Sequence, residues 1–523
     1  MYITKPVSLI FFFTIMVLQG CASVSTQAVS QAPVSSVTPQ NQNPLVTHPD
    51  EPYIVNRALK ILHDGDLNPH FFDYPSLTIY LQAVICAVTE AYQYLIHGVH
   101  PNEFPNVFFY ISGRGFAAIA SSLSIVIVWI IGRKFISPIS GIVAAGLVAF
   151  SPLHVSNSYL VKPDIWIAIF TTIVLYFSFR IFESGRLRDY LLGGLFVGLA
   201  TGSKYPAFIS FITIFVAHIL YSQNQKINVI NKKIIFSAIT SGLTFFVTTP
   251  YSIFDFKTFS SNLHRVGKGY LMGHPGPAAV GNHTYSLYGE TIYTADGLGL
   301  FAVMLAIIGL FYCFQKKKYE YLLLIAFPLL LYFFVGYFNA FYPRNIVAAI
   351  PPLALLSAYG LHALLSKPFT GDKYFYLAGI SALSFMFMAG PLLSKSFDET
   401  YSTTLPDTRW LSVQWIQNHI PRGSTIAREN YTPPIEHFSK NFNVIYLGVS
   451  GAYRHASMID SSVDYIILSS GDYSRFFDGT GRYADQIKYY SDLFNHHQLV
   501  FEINPESGIS TGPTILIFSN SNQ

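Results

Sequence analysis

The sequence predicts a mainly α protein, a polytopic bundle of about 11 membrane-spanning helices that carries a small C-terminal α/β domain. Three observations predict it. Charged residues make up 11% of the 523 positions, against about 25% in a soluble domain. Hydrophobic residues make up 51% and the mean hydropathy is +0.38, which excludes intrinsic disorder. Long apolar runs recur down to about residue 394, after which the composition becomes that of a water-exposed domain. The formal charge of +4 is small and gives no basis for a nucleic-acid partner. Cys21, Cys86 and Cys313 show neither a disulfide framework nor metal-ligand spacing.

A membrane helix needs about 20 apolar residues to cross a hydrocarbon core of about 30 Å. Candidate spans fall near 7–19, 107–131, 139–158, 165–182, 189–203, 206–221, 234–250, 298–314, 319–338, 345–365 and 374–393. Basic clusters at Arg133–Lys134, Arg180 with Arg186 and Arg188, Lys226 with Lys232 and Lys233, Lys316 to Lys318, and Lys367 with Lys373 fall on alternate loops. Positive charge marks cytoplasmic loops. Segments 20–106 and 251–297 and the tail from about 394 are therefore expected to face outward.

Segment 1–21 reads as an N-terminal membrane helix or a signal-like segment, ending in the lipoprotein-like Leu18-Gln19-Gly20-Cys21. Residues 22–47, rich in Ser, Thr, Gln and Pro, read as a flexible linker. Residues 48–106 form an outer acidic loop with interfacial helices, 107–393 the membrane core, and 394–523 the α/β domain. The run 76–97 is long enough to span but carries Gln82, Glu90 and Gln93, and is read as a helix lying at the interface. In the tail, 405–420 is an amphipathic helix with Asp407 or Thr408 as cap and Pro421 as stop. Val463–Ser469, Leu499–Ile503 and Thr514–Phe518 read as strands.

A P-loop, a Gly-x-Gly-x-x-Gly turn, a His-Glu-x-x-His pair and a Gly-x-Ser-x-Gly elbow are all missing from the sequence. It thus offers no recognisable means of using a soluble nucleotide or a nicotinamide. The glycines Gly193, Gly194, Gly198 and Gly202 sit within an apolar helix, where small residues serve close packing.

Four polar clusters remain, all on loops expected to face outward. The first is His48-Pro49-Asp50-Glu51-Pro52-Tyr53, ahead of a helical run over 53–64 and followed by Asp73-Tyr74-Pro75. Carboxylates favour a helix N-terminus through its dipole; beside apolar walls they also suit a general base or a cation ligand. The second is Ser151-Pro152-Leu153-His154 with Lys162-Pro163-Asp164, where Asp164 enters an apolar span almost at once. It is either a functional acid or a helix cap and partner of Lys162. The third is Thr201-Gly202-Ser203-Lys204-Tyr205-Pro206, whose lysine either meets an anionic head group or snorkels. The fourth is Tyr342-Pro343-Arg344-Asn345, whose arginine suits bidentate phosphate binding or interfacial anchoring. The outward loop 264–296 adds His264, Arg265, Lys268, His274, His283 and Glu290, a mixture that suits sugar binding or a hydrated loop.

The stretch His48–Leu77 resembles the first outer loop of the GT-C glycosyltransferases, most of all family 39 with its bacterial protein O-mannosyltransferases and lipid A aminoarabinose transferases. The Ser-Pro-Leu-His turn with Asp164, the segment ending in Lys204, the run Arg344-Asn345-Ile346-Val347 and the tail around DTRWLSVQWIQNHIPRGSTIA are also similar to that family. The resemblance implies an inverting enzyme with its sugar donor on a polyprenyl phosphate, a hydroxyl acceptor on protein, lipid or glycan, and no obligatory metal or other cofactor. It implies Asp50, Glu51 and Asp164 as the acidic catalytic set. Lys204 and Arg344 become contacts to the lipid phosphate, with Tyr74, His154 and His274 as further substrate-binding candidates. It places the protein in the bacterial cytoplasmic membrane with the site facing the periplasm or exterior. A lipid-linked donor also accounts for the missing nucleotide motif on an outward-facing site. A transporter or flippase of lipid-linked sugars, or a glycan polymerase or ligase, remains the alternative.

Overall fold

The computed structural model describes residues 48–99, 106–273, 283–365, 374–435, 441–448, 451–456, 459, 462–477 and 483–520. The first expected span, 7–19, the linker and His274 lie outside the described residues.

Helix α1 (Glu51–Asp64) begins on an acidic residue and Pro52, and ends at Gly65, whose φ of 73° closes the last turn. It buries Ile54, Val55 and Ala58 against Phe71, Ile79, Phe109, Tyr110 and Val161. Helix α2 (Leu77–His97) lies beside it. Its polar contacts to other elements go to Thr249 through the preceding Ser76 N–H, to the Phe109 carbonyl through Gln82, and to His63 through Glu90. By length and composition α2 also suffices to cross a membrane.

The bundle follows as α3 (Val107–Phe135), α4 (Pro138–Phe150), α5 (Pro152–Ser158), α6 (Asp164–Ser184), α7 (Leu187–Ser203), α8 (Phe211–Gln225) and α9 (Lys232–Thr248). The chain continues through α10 (Phe256–Met272), α11 (Thr284–Tyr293), α12 (Leu300–Gln315), α13 (Leu323–Gly336), α14 (Ile350–Leu365) and α15 (Tyr374–Ser402). Among the described residues six helical runs are long and apolar enough to cross a membrane, or seven with the pair α4 and α5 counted as one. The expected eleven is therefore not reached on length and composition. Helices α7 and α9 have 17 residues each and α12 has 16, shorter than a full crossing. The expected span 139–158 is also broken: α4 and α5 meet at 62°. Pro152 causes this break, since it lacks an amide hydrogen and disfavours helix at Ser151.

Two ends of the bundle differ in chemistry. At one end Lys134 pairs with Glu183 at 3.3 Å, Lys233 donates to the Gly185 carbonyl at 2.6 Å, and Tyr321 donates to the Phe135 carbonyl at 2.8 Å. The basic clusters of α3, α6 and α9 thus share that end. The N-termini of α3 and α6 and the C-terminus of α7 lie at the other.

Helices α7 and α9 touch through glycine. A Cβ at Gly194 would strike the Ser237 carbonyl, one at Gly198 would strike Thr244, and one at Gly202 would strike Thr248. Without a hydrophobic drive between helices in lipid, such backbone approach supplies the association.

The tail carries α16 (Thr408–His419), capped by Asp407, which accepts the Arg409 N–H at 2.8 Å, and stopped before Pro421. Strands β1 (Thr425–Glu429), β2 (Asn443–Gly448), β3 (Tyr465–Ser469), β4 (Gln498–Ile503) and β5 (Ile515–Ser519) form one sheet in the order β2-β1-β3-β5-β4. The pairs β1–β2 and β1–β3 are parallel, and β5 runs antiparallel to β3 and β4. Helix α17 (Ala484–His496) covers one face. Strand β1 ends on the fully buried Glu429, which accepts from Tyr490 at 2.5 Å and from the Ala452 N–H at 2.8 Å. Burial, then the nearby Asp472, pushes the Glu429 carboxyl up to about 8.

Candidate active site

The site is built where five separate segments meet at the less basic end of the bundle. Asp50 is the residue before α1, and its carboxylate is one-fifth exposed. Arg344 reaches its Oδ2 with Nη2 at 3.2 Å, and the Tyr74 hydroxyl donates to the same oxygen at 3.3 Å. The Arg344 guanidinium lies 4.5 Å from the centroid of the Tyr342 ring, which fixes its plane. The loop that carries Tyr74 is held in turn by Asn262, which accepts the Phe72 N–H, and by Tyr205, which donates to the Phe72 carbonyl at 2.9 Å. Burial and the Asp50 charge hold the Tyr74 hydroxyl far above its usual range, so it donates and does not ionise.

Asp164 opens α6 behind Pro163 and is 1% exposed. Such burial needs a counter-charge. Lys204 supplies it: Nζ lies 2.7 Å from Asp164 Oδ1 and 2.9 Å from Asn345 Oδ1. Lys204 occupies the extended residue between α7 and the 3₁₀ turn Tyr205–Ser210, so a break in the helix delivers the ammonium. Asn345 is oriented by donating to the Tyr288 hydroxyl at 2.9 Å.

Two further residues join this group. Lys162 is 4% exposed, and no carboxylate lies within ion-pair distance of it among the described residues. Burial lowers its pKa to about 8, against the opposing pull of Asp164. His48 accepts the Asp50 N–H on Nδ1 at 3.1 Å. Burial and the Lys162 charge bring it down to about 4, so its ring is neutral at neutral pH. In the sequence Lys162 stands out only as a partner of Asp164, and His48 and Asn345 only as neighbours of Asp50 and Arg344.

The structure therefore brings together Asp50, Asp164, Lys204, Arg344 and Tyr74. Glu51 is different. It is fully buried, with Arg114 Nε 2.8 Å from Oε1, Arg114 Nη2 2.5 Å from Oε2, and the Val161 N–H donating to Oε1 at 3.0 Å. A carboxylate so occupied pins α1 to α3 and to the loop before Asp164, and is closed to solvent. Arg114, a cation inside an apolar run, was the signal for this partner. His154 is also set apart: its ring nitrogens face Ser121 at 3.4 Å and Ser124 at 3.0 Å, in the packing between α3 and α5.

Chemically, the cluster offers one acid at the surface, one buried acid tied to an ammonium, and three cations. With Glu51 and Arg114 cancelling each other, the three cations exceed the two carboxylates. The excess of positive charge suits an anion, and Asp50 is the more exposed of the two carboxylates.

The family model for dolichyl-phosphate-mannose-protein mannosyltransferase matches residues 110–252. Comparison with curated protein sequences returns no match. Among solved structures, ArnT from Cupriavidus metallidurans bound to undecaprenyl phosphate is similar over 100% of this chain and 99% of its own, with 9% identity and a TM-score of 0.54. The oligosaccharyltransferase of Archaeoglobus fulgidus in its apo form is similar over 100% of this chain and 75% of its own, at 12% identity and a TM-score of 0.53. AglB from Archaeoglobus fulgidus with an inhibitory peptide and a dolichol phosphate gives 12% identity and a TM-score of 0.52, over 98% of this chain and 74% of that one. The chain shares the GT-C fold with these solved structures, and its residues 110–252 match the family model for dolichyl-phosphate-mannose-protein mannosyltransferase.

Proposed function

We propose that the chain transfers a sugar, with inversion, from a polyprenyl-phosphate donor to a hydroxyl acceptor on protein, lipid or glycan. The observation that carries this reading is the meeting of Asp50 with three cations, Lys162, Lys204 and Arg344, beside the buried Asp164. Asp50 takes the acceptor proton as the acceptor oxygen bonds to the anomeric carbon. The bond from that carbon to the phosphate oxygen breaks, and its electron pair leaves with the phosphate. The leaving group gains negative charge, and the cations stabilise it most in the transition state. Asp164 is a positioning residue that holds the Lys204 ammonium in place. Tyr74 orients Asp50 through its hydroxyl.

The site lies on the extracytoplasmic face of the bacterial cytoplasmic membrane in this reading. Its support is the gathering of basic clusters at the opposite end of the bundle, the end expected to be cytoplasmic. We assign charge neutralisation to side-chain cations and therefore propose no obligatory metal. The test is mass spectrometry of surface glycans and glycoproteins from cells with the wild-type chain, with Asp50→Asn, and without the chain. One sugar is expected to be missing from one class of molecule in the latter two. Full product with Asp50→Asn rejects the assignment of the base.

A further inference from the structure

One wall separates the cluster from a cavity of about 420 Å³. Helix α11 and the segment 341–345 form that wall. Tyr288 on α11 bonds to Asn345 on the cluster side, whereas Leu287, Glu290 and Thr291 of the same helix line the cavity. Phe341 and Pro343, which flank Tyr342, also line it. Asp296 and Glu399 also line it, the latter near the C-terminal end of α15 and a few residues before α16.

The chemistry of the cavity is opposite to that of the cluster. Three carboxylates, those of Glu290, Asp296 and Glu399, meet the single ammonium of Lys395, which pairs with Asp296. Glu399 Oε2 is closed to solvent and accepts no hydrogen bond, although a buried carboxylate oxygen without a donor is costly. Burial also holds the Glu399 carboxyl above its usual range. No group of three His, Cys, Asp or Glu among the described residues is placed to hold a metal ion. What remains is an open space of ligand size with apolar faces from Leu153, Leu287 and Phe341, and with a buried acceptor on Glu399 that lacks a donor.

We infer that this cavity seats part of the acceptor, a saccharide unit beyond the one whose hydroxyl reacts at Asp50, which presents hydroxyl donors and carries no negative charge. Hydroxyls supply the missing donor to Glu399 and can also donate to Glu290, and the apolar faces receive the C–H face of a ring. A phosphate is repelled there and attracted to Lys162, Lys204 and Arg344 across the wall. The two substrates are thus sorted by charge before they react. This inference rests on the transferase reading.

The test compares two variants of the full-length chain. Ser156→Trp fills the cavity from α5, and the double variant Glu290→Gln with Glu399→Gln keeps its shape while removing charge. Binding of undecaprenyl phosphate to the purified protein is measured beside surface glycan product in cells. Both variants are expected to bind undecaprenyl phosphate within about twofold of wild type and to lose product at least about tenfold. Should Ser156→Trp fail to fold, the double variant decides. Unchanged product in the double variant, where the wild type makes product, overturns this inference alone. Parallel loss of undecaprenyl phosphate binding and product also overturns it, because the cavity then belongs to the donor. A wild type that changes no surface glycan relative to the deletion overturns the transferase reading and this inference with it.

Discussion

Lys204 and Asp164 start adjacent helical segments 40 residues apart in sequence, yet Nζ and Oδ1 lie 2.7 Å apart, and Asn345 Oδ1 takes a second donor of the same ammonium at 2.9 Å. Lys204→Met removes charge from the anion site and is expected to lower transfer by about 10²–10³. Lys204→Arg restores little, because a planar fork does not reproduce a compact ammonium held between a carboxylate and an amide. Product formation normalised to protein level in the membrane measures both.

The adjacent acids Asp50 and Glu51 are predicted to separate by phenotype. Asp50→Asn abolishes transfer and leaves thermal stability near wild type. Glu51→Gln leaves the Arg114 guanidinium without its carboxylate in a buried position, a loss of about 3–5 kcal/mol. It is expected to lower the midpoint of thermal aggregation in detergent and to reduce yield. The reverse pattern, a stable but inactive Glu51→Gln, assigns Glu51 to the chemistry instead.

Lys162 carries a pH prediction. Its pKa lies near 8, below the ordinary 10.5, because burial disfavours the ammonium. The charged fraction, and with it attraction for phosphate, falls as pH rises through about 8. Binding of undecaprenyl phosphate to the wild type should weaken between pH 7 and pH 9. In Lys162→Arg, whose guanidinium stays charged, this high-pH limb should disappear. An identical decline in both proteins places the titration elsewhere.

Glu429 predicts a pH-dependent outer sheet. Its carboxyl is raised to about 8 from an ordinary value of 4.5, so the native state holds a proton that the unfolded chain releases. The stability it contributes is complete below about pH 4.5 and is lost as pH rises through about 8. Hydrogen exchange of β1 and β3 in the full-length protein, corrected for intrinsic rates, should show protection falling across that window. Glu429→Gln should flatten the profile.

Much of the bundle was legible because apolar length and basic loops are local signals. The run 374–393 sits within α15, and the amphipathic run 405–420 contains α16 with its Asp407 cap. The break at Ser151 is legible in Pro152, and the outward turn expected at Ser151–His154 falls there, although uniform hydropathy extends the apparent span 139–158 through it. Strands β1 and β2 were not read: each is short and paired in parallel, without the alternation of a half-buried strand. The polar clusters were legible as residues near membrane entry points, but their pairings were not. Nothing local in Asp50-Glu51 shows that one carboxylate meets Arg344 and the other Arg114. That division depends on helix rotation, which only the folded chain specifies.

The glycine contacts between α7 and α9 have a consequence for Lys204, which follows α7 directly. Sliding α7 by one turn, about 5.4 Å, would withdraw the ammonium from both of its acceptors. Thr248, set against Gly202, blocks that slide. The accuracy with which a charge is held at the rim of the bilayer is thus inherited from methyl groups that a neighbouring helix does not have.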